Sequence, residues 1–237
     1  MRLCVIPARG GSKRIPRKNI RDFLGKPIVA WSIEAAHKSE CFEHIIVSTD
    51  DREIAERVQE FGAEIPFVRP LELADDYSTT SAVVAHAVEW YQNHGVNLEA
   101  ICCLYATAPM VYPADIRKGL EMLRNGDPNQ FVFTATTYPS PIQRALRIDH
   151  QNGSAHMWQP ECFTQRSQDL EAAYHDAAQF YWGRPESWLT RNNIFEGSLP
   201  LVVPRWRVQD IDNEADWFRA EELFSNLMRK GFSQRSA

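Results

Sequence analysis

Apolar positions along this chain form short blocks separated by polar stretches with helical spacing. Residues 2–8 (RLCVIPA) read as a strand, and 25–39 (GKPIVAWSIEAAHKS) as an amphipathic helix. Residues 44–50 (HIIVSTD) predict a second strand, running into a helix at 51–62 (DREIAERVQEFG) closed by Gly62. A third strand is expected at 64–68 (EIPFV), followed by a helix at 80–95 that ends at Gly95. Residues 100–109 (AICCLYATAP) predict a long buried strand, and 113–126 a helix with proline at its start and glycine at its end. Residues 130–138 (QFVFTATTY) give another strand. This alternation argues for an α/β fold, a mostly parallel sheet with helices on both faces.

From 138 to 175 the pattern changes. Residues 138–160 read as two extended pieces around the turn DHQNG, so an arm inserted into a single domain spanning 1–237 is expected here. Beyond it come a strand at 177–183 (AAQFYWG), a short helix at 185–193, a strand at 199–204 (LPLVVP) and a closing helix at 213–230. The last residues, 231–237, are expected to fray.

A chain of 237 residues with 44% apolar and 24% charged residues suits one soluble α/β domain. No apolar run approaches the length of a membrane span, and a location in the cytoplasm is expected. The five cysteines contain no C-x-x-C pair, and all five are expected to be structural. The histidines show no metal-ligand spacing, though His175 stands beside Asp176, and G-x-S-x-G is absent.

Charge changes the picture more. The net charge is −5, yet residues 1–40 hold nine Lys and Arg against three Asp and Glu. Arg9, Lys13, Arg14, Arg17, Lys18 and Arg21 fall within thirteen residues. A compact basic patch on an acidic chain suits a small, highly charged anion better than nucleic acid.

That patch follows the first strand, at the sheet edge where open α/β folds bind ligands. Gly10 and Gly11 allow backbone N–H groups near phosphate oxygens, Ser12 adds a hydroxyl, and Arg9, Lys13 and Lys18 supply countercharge. The loop matches neither G-x-G-x-x-G nor the P-loop pattern, and a solvated basic loop is the alternative reading. Asp210 and Asp212 stand two apart in an extended VQDID, so both carboxylates can face one Mg²⁺ ion; capping of the last helix is the competing role. Asp50 and Asp51 read first as caps of the helix that follows them. Arg69 and Thr80 bracket RPLELADDYSTT, where Arg69 offers guanidinium donors after a strand or simply lies at the surface before Pro70.

The segment 6–20, IPARGGSKRIPRKNI, resembles the N-terminal signature of the CMP-sialic acid synthetase (acylneuraminate cytidylyltransferase) family. VSTDD at 47–51, RPLELADD at 69–76 and DIDNEAD at 210–216 follow in the family's order, so the resemblance spans nearly the whole chain. It implies a Rossmann-like sheet of the nucleotide-diphosphosugar transferase type and a reaction of CTP with a nine-carbon acidic sugar, with Mg²⁺. It further implies a homodimer whose arm completes the partner's sugar site. Arg9, Lys18 and Asp212 would be catalytic. Ala8, Gly10, Gly11, Ser12, Lys13, Asn19, Arg69 and Thr80 would join Arg9 and Lys18 around CTP. Arg166, Asp176, Gln179 and Phe180 would meet the sugar, although QFYW also alternates like a buried strand. At 102–109 Ala106-Thr107-Ala108 stands in place of the Gln-Pro-Thr-Ser usual for sialic acid. That stretch and 172–183 point instead to pseudaminic acid, a diacylamino sugar. Legionaminic acid, sialic acid and Kdo remain as alternatives. So do a glycosyltransferase and a non-catalytic binding protein.

Overall fold

The computed structural model describes residues 1–191 and 193–229. Its six-stranded sheet consists of β1 (Arg2–Pro7), β2 (His44–Ser48), β3 (Ala100–Leu104), β4 (Val132–Thr137), β7 (Tyr174–Gly183) and β8 (Leu199–Val202), in the order β2-β1-β3-β7-β4-β8. Strand β1 pairs parallel with β2 and β3, and β4 pairs parallel with β8. Strand β7 is antiparallel to both neighbours, because the chain enters it from the arm and not from a crossover helix.

Alternation along each strand sorts side chains to two faces. Cys4, Ile6, Cys102, Leu104, Phe180 and Trp182 face α1 (Ile28–Ser39), α2 (Arg52–Gln59) and α4 (Pro113–Asn125). Leu3, Val5, Ile101, Cys103 and Tyr181 face α3 (Thr80–Asn93) and α5 (Pro185–Thr190). Both faces are covered, and the central strand β3 is accordingly apolar and buried at every position. All five cysteines are buried free thiols, and burial pushes Cys4, Cys102 and Cys103 up.

Two expectations change. Residues 64–68 form no strand: only Glu64 bridges Ile46, Pro66 lacks an N–H to donate, and Val68 is 74% exposed. Strand β3 stops at Leu104, and residues 105–110 turn along the sheet edge. Thr79 caps α3, accepting from the Ala82 N–H at 3.2 Å, which leaves Thr80 in the first turn. The expected frayed end, 231–237, lies outside the described residues, as do Lys230 and Asn192.

The arm carries its own antiparallel pair, β5 (Leu146–Ile148) with β6 (Ala155–Met157), around the DHQNG turn. Leu146, Ile148, Trp158 and Phe163 are exposed along it. A third apolar cluster joins α6 (Glu214–Arg229) to the basic loop through Ile15, Phe23, Ile211, Trp217 and Phe224. The loop is thereby fastened to the last helix, with Phe23 edge-on to Trp217 at 5.4 Å.

Candidate active site

The order of strands reverses direction between β1 and β3, and a cavity of about 620 Å³ opens beyond their carboxyl ends. Residues 8–21 form one wall, and the loop separates into inward anchors and outward cations. The Ala8 N–H donates to the Ser48 carbonyl at 2.9 Å and its side chain is buried. Gly10 donates to Asp50 at 3.0 Å, and a Cβ on Gly10 would meet Asp51 Oδ2 at 2.6 Å. Asn19 Nδ2 ties down the Arg9 carbonyl at 3.0 Å and also reaches the cavity.

The six cations divide accordingly. Arg17, in a left-handed conformation, pairs with Asp51 at 2.6 Å and with Glu53, and this guanidinium pulls the Asp51 carboxyl down to about 2. Asp51 also accepts the Ile54 N–H as the cap of α2. Arg21 pairs with Glu214 at 2.6 Å and lies over the Trp217 ring. Arg9, Lys13, Arg14 and Lys18 line the cavity together with Ser12. Ala8, Gly10 and Gly11 do not line it; the first two serve the loop's attachment to β2 and α2.

The adjoining wall is acidic. Asp210 and Asp212 line the same cavity, on the segment after β8. Arg14 pairs with Asp212 at 2.7 Å, and Lys18 Nζ donates to the Ile211 carbonyl at 2.7 Å. Burial lowers the Lys18 pKa, opposed by the charges of Asp212 and Asp210. Asp210 opens to the cavity but sits deep enough to be desolvated, and this, with the nearby Asp212 charge, holds its carboxyl above the ordinary range. Two hard-oxygen groups that repel each other suit a divalent cation, which Mg²⁺ would complete with waters and substrate phosphates. Among the described residues no group of three or more His, Cys, Asp or Glu is arranged to hold a metal ion, so such an ion would rest on this pair.

Arg69 is 4% exposed and reaches the cavity from beneath β2, donating through Nε and Nη2 to the Ser48 hydroxyl and carbonyl. Burial lowers its pKa to about 10, still well above neutrality. Thr80 Oγ1 lies 3.0 Å from Tyr105 Oη, and these two residues also line a second cavity of about 530 Å³. Asp176, Tyr181 and Phe195 face that second space. Tyr181 donates to Asp176 Oδ2, the Ala178 N–H donates to Oδ1 at 2.9 Å, and burial holds the Asp176 carboxyl above its usual value.

Three sugar-side candidates are not brought to these walls within one chain. Phe180 is fully buried among core residues, close to Gly119, where an added Cβ would meet its ring at 2.8 Å. Gln179 is buried and donates to the Arg207 carbonyl at 2.8 Å. Strand β7 is covered on both faces, so apolarity alone cannot say which side chains see a ligand. Arg166 lies on the arm, paired with Asp169 at 2.7 Å.

Sequence reasoning passed over Arg14 as a site residue, and also Asp75, Asp76 and Tyr105. Asp76 bridges Arg9 at 2.8 Å and Lys13 at 2.6 Å, while Arg9 also donates to the Asp75 carbonyl. The only sequence signal was the Asp pair in RPLELADD, whose first member turns back to accept the Tyr77 and Ser78 N–H groups. Asp76 thus occupies two cations that an anion would need. Asp76→Asn is expected to tighten CTP binding about threefold to fivefold, the worth of two exposed ion pairs, read by calorimetry without sugar. Unchanged or weaker binding would show that Asp76 does not compete with the nucleotide.

Residues 3–196 match the family model described as cytidylyltransferase. The chain is 45% identical over 223 residues to a pseudaminic acid cytidylyltransferase of Campylobacter jejuni, covering 94% of this chain and 95% of that one. It is 33% identical over 230 residues to a CMP-N,N'-diacetyllegionaminic acid synthase of Legionella pneumophila, covering 93% and 95%. Among solved structures it is similar in fold to a CMP:2-keto-3-deoxy-manno-octonic acid synthetase complexed with CTP. The TM-score is 0.68 at 18% identity, over 95% of this chain and 98% of that one.

Proposed function

The chain belongs to the cytidylyltransferase family, and from that premise we propose that it joins CTP and pseudaminic acid into CMP-pseudaminic acid, releasing pyrophosphate. The observation that carries this reading is the single cavity in which Arg9, Lys13, Arg14 and Lys18 face Asp210 and Asp212. A triphosphate is the ligand whose charge matches the first wall, and a metal-bound phosphate is the one that reconciles it with the second.

In this reading Arg9, Ser12, Lys13 and Lys18 hold the triphosphate, with Arg14 beside them. Arg69 and Thr80 present donors toward the base, and the fixed, buried Arg69 guanidinium suits the cytosine O2 and N3 acceptors. Asp210 and Asp212 would hold Mg²⁺, which when bound supplies charge stabilisation on the transferring phosphoryl group. The sugar's anomeric hydroxyl attacks the α-phosphate in line, its O–P bond forming as the bond to pyrophosphate breaks. Fixed cations around the β- and γ-phosphates stabilise the leaving charge without reorganising. Asp176, in the adjoining cavity, offers carboxylate acceptors suited to the N–H groups of a diacylamino sugar.

We assign the arm to pairing between two copies in a homodimer, supported by the exposed Leu146, Ile148, Trp158 and Phe163. Arg166 would then meet the sugar carboxylate in the other copy's site. Co-expression of Arg166→Ala and Asp212→Ala chains tests this directly. With random pairing, half the dimers hold one intact site, so activity about a quarter of wild type is expected from two inactive variants. No recovery would place Arg166 in its own chain's site or in none. Among the described residues no helix is long and apolar enough to cross a membrane, and we place the reaction in the cytoplasm, where CTP is available.

The overall reading is tested by pyrophosphate release with CTP and Mg²⁺ against pseudaminic acid, legionaminic acid, sialic acid and Kdo. Release with pseudaminic acid alone is expected. Release with another of these sugars keeps the reaction and replaces the sugar, whereas CTP binding without any release overturns the reaction.

A further inference from the structure

The segment carrying Asp210 and Asp212 lies beyond the end of β8 and joins no strand ladder. Ile211, buried between the two carboxylates, and the Asp212 N–H, held by Asp216, fix its far end; its near end is gripped at Arg207, three residues before Asp210. Arg207 is 5% exposed, donates to Asp115 Oδ2 at 2.5 Å and lies over the Tyr112 ring at 4.0 Å. Asp115 belongs to the first turn of α4. The Arg207 carbonyl accepts from Gln179 Nε2 at 2.8 Å, and Gln179 sits on β7, in the strand that carries Asp176. One residue is thus held through its side chain by a helix and through its backbone by the central sheet.

A buried ion pair adds little stability over well-packed apolar side chains of the same size, because desolvation offsets most of the attraction. It does fix geometry, since the planar guanidinium can meet a carboxylate and an aromatic face in only a few arrangements. Building on the metal reading of Asp210 and Asp212, we infer that Arg207 and Gln179 are positioning residues that set where those two carboxylates stand relative to β7 and α4. Neither residue touches the cavity. This gives Gln179 a task other than the sugar contact expected from sequence.

The consequence is a separation between stability and metal affinity. Binding of Mn²⁺ to the full chain, read by electron paramagnetic resonance in the absence of sugar, is expected to weaken about tenfold in Arg207→Met. The Mg²⁺ concentration for half-maximal turnover is expected to rise in parallel, with the KM for CTP changing less than kcat. Arg207→Met also leaves Asp115 unpaired and lowers the melting temperature. The double variant Arg207→Met, Asp115→Leu, an apolar pair, is therefore expected to recover the melting temperature but not the Mn²⁺ affinity. Gln179→Leu, which removes only the backbone anchor, is expected to weaken Mn²⁺ binding with a smaller stability change.

Recovery of metal affinity together with stability in the double variant would reduce Arg207 to a structural residue and overturn the inference. So would wild-type Mn²⁺ binding in both Arg207→Met and Gln179→Leu. Asp212→Asn separates the two levels. If it too binds Mn²⁺ normally, the metal site itself is wrong; if it loses binding while the Arg207 and Gln179 variants keep it, only the positioning inference fails.

Discussion

Asp212→Ala is expected to lower kcat by about two to three orders of magnitude while the protein stays folded, the scale for losing one fixed charge aimed at a reacting phosphoryl group. Asp212 faces the cavity, half-buried, and its side-chain partner among the described residues is the exposed Arg14. The neighbouring Ile211 is buried in the cluster with Ile15 and Trp217, and Asp216 accepts the Asp212 N–H at 3.1 Å whatever side chain stands there. On the metal reading, truncation therefore removes one ligand for the ion and leaves the segment's attachment in place. Circular dichroism and a melting curve check the fold, and steady-state kinetics with increasing Mg²⁺ checks the chemistry. Near-normal turnover at saturating Mg²⁺ would sink the metal assignment.

Lys18→Ala is expected to raise the KM for CTP by about tenfold to a hundredfold, equivalent to about 1.4–2.7 kcal/mol of binding, and the KM for the sugar far less. Lys18 is a half-buried cavity cation, fixed by the Ile211 carbonyl and placed between the other cations of the basic loop and the acidic pair. Removing it deprives the triphosphate of one cation and leaves Asp210 and Asp212 to repel the incoming phosphates. Lys18→Arg restores the charge but not the compact ammonium head, so partial recovery is expected. Initial rates at varied CTP and fixed sugar, then the reverse, separate the two constants. An unchanged response to CTP would return Lys18 to a purely structural role between the loop and α6.

Why some of the site could be read from the sequence and some could not follows from the residues themselves. The basic loop was legible because six cations beside two glycines have no packing explanation, and its place after an apolar strand put it at the sheet's ligand-binding edge. The acidic pair was legible because residues two apart in an extended segment share a side. Asp50 and Asp51 read as caps, and Asp51 does cap α2. The division of the cations was not legible. Arg17 and Arg21 carry the same charge as Lys13 and Lys18, and only Asp51, Glu53, Glu214 and Trp217 turn them away from the cavity. Gln179 and Phe180 were equally opaque, since a strand covered on both faces offers no polar side from which to infer exposure.

By itself the sequence determined the α/β alternation, the placing of a basic, glycine-bearing loop after the first strand, the inserted hairpin and the family, because each depends on local periodicity or contiguous motif. Tertiary structure decided the rest: that β7 runs against its neighbours, that residues 64–68 pair only once, that Asp76 occupies Arg9 and Lys13, and that Arg207 and Gln179 grip the segment bearing Asp210 and Asp212. These are pairings between residues far apart in the chain. Their energies depend on distance and burial, and a linear pattern carries neither.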